Sequence, residues 1–129
     1  MKKDRFYQDS RLPFVECRYT HDSSEVFKPH LHRSFSVGGV EQGEIDFLIG
    51  ESAICLEKGT LALINPDTLH SCNPAGHGAR SFYMLYFKVE WCIKIQHSLW
   101  ENAAFIPVDC AIVKDPVLYS LFVDTVRNL

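Results

Sequence analysis

Two stretches decide the fold: Pro29-His30-Leu31-His32, and Gly59-Thr60-Leu61-Ala62-Leu63-Ile64-Asn65-Pro66-Asp67-Thr68-Leu69-His70. Successive side chains of an extended chain alternate sides, so His30 and His32 project to the same face. His70 follows an apolar strand and an Asn-Pro-Asp turn, and a closed antiparallel sheet brings it opposite the first two histidines. Three imidazoles then share one cavity. On the parity set by His30 and His32, residues Ser34, Ser36, Gly38 and Val40 face the same enclosed space.

Outward from these segments the pattern stays short and strand-like. Residues 14–22 alternate, with Phe14, Glu16, Arg18 and Thr20 against Val15, Cys17 and Tyr19, which predicts a first strand closed by Ser23-Ser24. Residues 34–41 are rich in β-formers but carry Gly38-Gly39, a pair that predicts a bulge or bend. Gln42-Gly43-Glu44 is a hairpin turn, and residues 44–49 place Ile45, Phe47 and Ile49 on one side. Residues 53–56 and 61–64 are two further strands separated by Glu57-Lys58-Gly59, and residues 73–78 are a Pro/Gly loop. Residues 81–89, the most apolar segment, are apolar on both faces and suit a central strand covered on one side by something else. Trp91, Ile95 and Leu99 recur at helical spacing, so a helix is expected over 91–100, followed by a brief return to the sheet edge at 105–108. Asp115-Pro116 opens a last helix, the Asp free to accept backbone N–H groups and the Pro suited to the first helical position. Its stripe is Leu118, Leu121, Phe122, Val126 and Leu129.

Many short strands closed by Gly or Pro indicate a mainly β barrel or sandwich and speak against βαβ units. The expected organisation is an N-terminal arm at 1–12, a barrel at 13–110 that includes the helix at 91–100, and a C-terminal helix at 115–129. The stripe runs unfinished into Leu129, so a longer protein is expected.

A chain of 129 residues is long enough for one domain with its own core, and 47% apolar residues argue against disorder. A net charge of −3 with no gathering of Lys and Arg gives this segment no footprint for nucleic acid. Its five cysteines, Cys17, Cys55, Cys72, Cys92 and Cys110, are odd in number and form no C-x-x-C pair, which argues against a disulfide framework or a thiolate zinc site. No secretion signal follows the charged N-terminus, and no segment reaches the roughly 18 apolar residues of a membrane span. A cytoplasmic setting without a membrane partner is expected.

The run from Pro29 through Gly38-Gly39 to Phe47, the run Lys58 to His70, the apolar segment from Ser81 and the C-terminal helix together resemble the N-terminal effector-binding domain of AraC-family transcriptional regulators. The likeness covers about residues 12–129. It implies a cupin, a double-stranded β-helix or jelly-roll barrel, with one or two C-terminal helices packed outside. It further implies a small-molecule effector in the barrel, a homodimer formed through the C-terminal helix, an arm that responds to ligand, and DNA contact only through a separate helix-turn-helix domain. Carried onto this chain, the family's ligand contacts fall near Cys72 and at Phe82 and Met84, with Tyr86 next on the same face. With His30, His32, Ser36, Val40 and His70 these form the expected ligand-binding set, although Phe82, Met84 and Tyr86 also suit plain barrel filling. Two departures from the enzymatic cupin pattern stand out. Ser36 and Val37 occupy the place of its glutamate, and Thr68 that of a glycine.

Three neutral imidazoles are chemically sufficient for zinc with an open fourth position. Without the carboxylate, the expectation is a non-enzymatic domain with no catalytic residue and no cofactor. The alternative is a small metal-dependent enzyme, a dioxygenase or isomerase, holding a divalent metal on His30, His32 and His70. Arg33 and Arg80 are either anion partners or solvated charges, and His21 and His77 are expected to be exposed. Cys72 beside His70 lacks an orienting third group for nucleophilic chemistry.

Overall fold

The structure, a computed structural model, describes residues 4–76, 78–109 and 111–129. The expectation for His77 therefore lies outside the described residues, as do Cys110 and the first three residues of the arm. In chain order the elements are β1 (Asp4–Tyr7), β2 (Val15–Ser23), β3 (Phe35–Gln42), β4 (Ile45–Ile49), β5 (Ser52–Leu56), β6 (Leu61–Ile64), β7 (His70–Pro74), β8 (Arg80–Phe87), α1 (Val89–Trp100), β9 (Ile112–Val113) and α2 (Pro116–Arg127). Every strand pairs antiparallel, in a large sheet ordered β1-β2-β8-β3-β6-β9 and a small one ordered β5-β4-β7.

Side-chain alternation builds two cores from this one arrangement. Phe82 and Met84 of β8 point inward with Val40, Ala62 and Ile64, and meet Ile45, Phe47 and Leu56 of the small sheet. Tyr83 and Leu85 of the same strand point outward, where Val15, Cys17 and Leu61 join Phe122 and Val126 of α2. A strand apolar on both faces is thus explained: one face fills the barrel and the other carries a helix. Each fully buried aliphatic or phenyl side chain is worth roughly 1.5–3 kcal/mol of transfer free energy.

The helix α2 starts as expected, with the Asp115 carboxylate accepting from Val117 N at 2.9 Å and Leu118 N at 3.2 Å. Its apolar stripe divides. Phe122 and Val126 are buried on the sheet, whereas Leu118 and Leu121 stay exposed on the outer side. In α1, Trp91 stacks on Phe14 at 4.5 Å and on Phe87 at 5.2 Å, while Ile95 and Leu99 face outward.

Several local expectations are corrected. Residues 4–7, expected within an unpatterned arm, form β1, because β2 offers them an open edge: Asp4 lies opposite Thr20 and Tyr7 opposite Cys17. The loop expected at 73–78 gives up its first residues to β7, which pairs with β4 from Ile49↔His70 to Ile45↔Pro74. Asn and Pro are poor strand formers, so pairing decides here rather than propensity, and Pro74 is tolerated on an edge strand. Residues 105–108 form no strand. Their backbone groups bond instead to the side-chain amides of Gln96 and Asn65, and the sheet edge is taken by β9. Finally, pairing runs without a break through Gly38-Gly39, and the register shift falls between Val40 and Gln42. The two glycines serve close approach: a Cβ on Gly38 would sit 2.6 Å from the Met84 sulfur, and one on Gly39 2.5 Å from the Phe122 ring. Among the described residues no helix is long and apolar enough to cross a membrane.

Candidate functional site

The three histidines are brought together by main-chain pairing outside the regular strands. His30 N donates to His70 O and His70 N donates to His30 O, both at 2.9 Å, an antiparallel bridge that fastens the 30–32 segment to the start of β7. Asp67 N donates to His32 O at 2.7 Å, so the Asn-Pro-Asp turn is tied to the same segment. The imidazole centroids stand 4.9 Å apart for His30 and His32, 4.6 Å for His30 and His70, and 5.5 Å for His32 and His70.

Their protons are placed by main-chain carbonyls. His70 Nδ1 lies 2.8 Å from Thr68 O, and His30 Nδ1 lies 3.1 Å from Lys28 O. A carbonyl only accepts, so in both contacts Nδ1–H donates, and Nε2 is the nitrogen that carries the lone pair in the neutral ring. Burial holds His32 down to about 4, helped by the neighbouring His30 and His70, and burial also lowers His70. Both rings are neutral at pH 7.

Beside the histidines lies a void of about 20 Å³, lined by Arg18, Phe27, His30, His32, His70, Cys72, Phe82, Met84 and Tyr86. That is room for about one water or one ion, against the roughly 300 Å³ or more of an ordinary small-molecule pocket. Phe82, Met84 and Tyr86 thus both line the void and fill the barrel. A larger guest enters only when a wall moves.

Strand register explains which expected residues reach the void. Phe82, Met84 and Tyr86 lie opposite Thr20, Arg18 and Glu16 of β2 on one side, and opposite Val40, Gly38 and Ser36 of β3 on the other. The void opens on the β2 side. Ser36 and Val40 therefore face inward as their parity requires but do not line it: Val40 packs in the apolar core, and the buried Ser36 hydroxyl has no hydrogen-bond partner among the described residues.

Arg18 and Phe27 line the void without belonging to the expected ligand-binding set. The backbone of Phe27 is clamped by the Asn73 side chain on β7, which accepts from Phe27 N at 2.8 Å and donates to Phe27 O at 3.1 Å. Arg18 had a legible signal, an arginine on the face of a strand shared with Thr20. Its Nη2 donates to Asp4 at 3.2 Å, and its guanidinium carbon lies 5.6 Å from the Phe6 ring, 5.4 Å from that of Phe27 and 5.6 Å from that of Phe82.

Arg80 is not solvated, and among the described residues it forms no salt bridge. It is 1% exposed, donates from Nη1 to Ser23 O at 2.7 Å and from Nη2 to Cys72 O at 3.2 Å, and stacks on the same Phe27 and Phe82 rings. Arg33 is exposed, and so is His21, which bonds to the Tyr19 hydroxyl. Burial pushes the Cys72 thiol up to about 12, which leaves it without nucleophilic character at neutral pH.

A family model described as the AraC-like ligand binding domain matches residues 12–129. No curated protein is a significant match. Among solved structures, the chain is similar to a Cupin 2 conserved barrel domain protein from Salinispora arenicola, with a TM-score of 0.59 at 8% identity, over 74% of this chain and 82% of that one. An RmlC-like cupin with a double-stranded β-helix fold from Methanocaldococcus jannaschii gives 0.53 at 10% identity, over 58% and 71%. The EutQ protein of Clostridium difficile gives 0.57 at 13% identity, over 68% of each chain. At these identities the likeness concerns the fold, a cupin barrel.

Proposed function

The chain belongs to the AraC-like ligand binding domain family, and from that premise we propose that it is the effector-sensing and dimerisation module of a cytoplasmic bacterial transcription regulator. The observation that supports this most is the interior void, where side chains from β2, β7, β8 and the 27–32 segment converge although they are far apart in sequence. A domain that only had to fold would fill this space with apolar side chains. This one places three imidazoles and an arginine there.

The mechanism is a population shift. An effector that prefers one arrangement of the walls biases how two subunits present their DNA-contacting domains, and no bond is made or broken. Because the void holds about one water as it stands, ligand entry and wall movement are the same event. DNA contact belongs to a separate helix-turn-helix domain, since this segment carries a net charge of −3.

A thermal-shift screen against a panel of small metabolites tests the sensing reading. A ligand held at about 100 times its Kd stabilises the folded state by about 2.7 kcal/mol, a rise of several degrees in Tm. That rise should vanish in Cys72→Leu, which fills the void. A panel without any such ligand, or a shift that survives the filling, would count against it.

Dimerisation is assigned to the outer side of α2, where Leu118 is 47% and Leu121 62% exposed. Paired about a two-fold axis, these side chains suit helix-on-helix packing. Leu121→Asp is expected to give a monomer in sedimentation equilibrium with an unchanged Tm for the barrel. A wild-type chain that is monomeric at tens of micromolar would remove this part of the proposal.

A second reading rests on the two proton positions fixed by Thr68 and Lys28. Metal-bound histidines commonly donate their other ring N–H to a carbonyl in this way, and the three candidate ligand nitrogens all lie within 4.8 Å of one another. With no carboxylate in the set, the donors suit zinc or nickel rather than an iron oxygenase centre. A bound ion would act as a Lewis acid toward an effector oxygen. Titration with nickel should show one site per chain, lost in His32→Ala. Unchanged stoichiometry in that variant would move the metal elsewhere.

A further inference from the structure

Arg18 and Arg80 share one interior neighbourhood, both stacked on Phe27 and Phe82, and a single ion-paired carboxylate stands against them. That carboxylate is Asp4, which accepts from Arg18 Nη2 at 3.2 Å through one oxygen and from the Thr20 hydroxyl through the other. Among the described residues Arg80 forms no ion pair, and the Nε atoms of both arginines are buried without a hydrogen-bond partner. The other groups on the void add no negative charge at neutral pH. The histidines are uncharged or cationic, the Cys72 thiol is held protonated, and burial raises the Tyr86 phenol, the next polar group beside Arg18. The groups on the void together with Arg80 therefore hold more cation than the one ion-paired carboxylate offsets, Glu25 acting on Arg80 only from beyond ion-pair distance, and this is a costly arrangement in low dielectric.

The geometry at Arg18 is incomplete in a specific way. Asp4 reaches one nitrogen of the guanidinium, whereas an untethered carboxylate takes the Nε and Nη2 edge with two parallel hydrogen bonds. Asp4 also sits on the outermost strand of the large sheet. It belongs to β1, four residues paired on one side only, and the neighbouring Phe6 and Tyr7 are largely exposed. We propose that the effector is a small monocarboxylate whose carboxylate displaces Asp4 from Arg18, its apolar body lying against Phe27 and Phe82. Asp4 is then a resident stand-in for the ligand, and its departure with Phe6 opens the space that the void lacks. Binding is thereby coupled to release of β1. The inference rests on the sensing reading and adds to it the chemical class of the ligand.

The test uses the whole chain in EDTA, so that no metal contributes, with benzoate and acetate as probes and benzamide and acetamide as their uncharged counterparts. Benzoate is expected to raise Tm where benzamide does not, and to speed amide hydrogen exchange in residues 5–7. Asp4→Asn removes the competing charge and should tighten benzoate binding by about tenfold or more, the expected gain when a competent state no longer has to be freed first. Arg18→Lys keeps the charge but loses the fork, and should weaken it by about as much. If Arg18→Lys fails to fold, Asp4→Asn and the exchange data decide. Equal binding of benzamide overturns the inference while leaving sensing intact. So does unchanged or weaker binding in Asp4→Asn, and so does failure of both carboxylates in both proteins. Failure of every neutral and charged compound in the wider metabolite panel would instead strike the sensing reading itself.

Discussion

Phe47→Ala is expected to lower the unfolding free energy by about 3–5 kcal/mol, the range for deleting a phenyl from a packed interior. Phe47 is 0% exposed and stands where the two sheets meet, among Val40, Ile45, Leu56, Ile64, Phe82 and Met84. Removing it withdraws contacts from both sheets at once. Its cross-strand partner on β7 is Cys72, which lines the void, so the new cavity would open toward the candidate site rather than collapse. Urea denaturation should show a lower midpoint with an unchanged slope. Leu48→Ala, one residue along on the exposed face of the same strand, should stay within about 0.5 kcal/mol of the parent. Equal losses in the two variants would mean that the inward parity of β4 is wrong.

That parity was legible in the sequence wherever a strand has one wet face. Ile45, Phe47 and Ile49 alternate with polar or exposed neighbours, and β4 follows. The two-sided apolar run at 81–87 signalled a covered central strand, and Asp115-Pro116 marked the start of α2, because capping is chemistry local to three or four residues. What stayed hidden was held from outside the segment. The four residues of β1 have no period of their own and become a strand because β2 has an open edge. Ser71-Cys72-Asn73 become a strand because β4 needs a second partner, and residues 105–108 satisfy their backbone through the amides of Asn65 and Gln96 instead of a ladder. At the site, the meeting of His30, His32 and His70 followed from two-residue spacing and a turn. The side of β8 on which the void opens did not, since parity tells which face a residue takes and not how far along the sheet a gap falls. For that reason the sequence does not mark Arg18 as a lining residue, and Ser36 and Val40 face inward without reaching the gap.

Acidification should act on the same cluster before it acts on the carboxylates. His32 titrates at about 4 in the folded state against 6.5 when unperturbed, so between these values the unfolded chain binds a proton that the folded one refuses. Stability therefore rises with pH across this window: it is fully present above about 6.5 and is lost as pH falls toward 4. His70 is shifted in the same direction by burial and adds to the slope. Discounted for partial access of solvent to the cluster, the loss on going from pH 7 to 4 is on the order of 2 kcal/mol. Glu41, which accepts from the Tyr19 and Tyr83 hydroxyls, is lowered below 4.5, so its contribution is lost at more acid pH, and the fall between 6.5 and 4.5 belongs to the histidines. Urea midpoints measured in EDTA across pH 4–7.5 should trace this fall in the wild type and a flatter one in His32→Gln, whose side chain carries no titrating proton. The loss is the energetic counterpart of keeping imidazoles neutral where the arginines already supply positive charge, the condition under which an anionic guest is favoured. An undiminished slope in His32→Gln would place the titrating group outside the cluster.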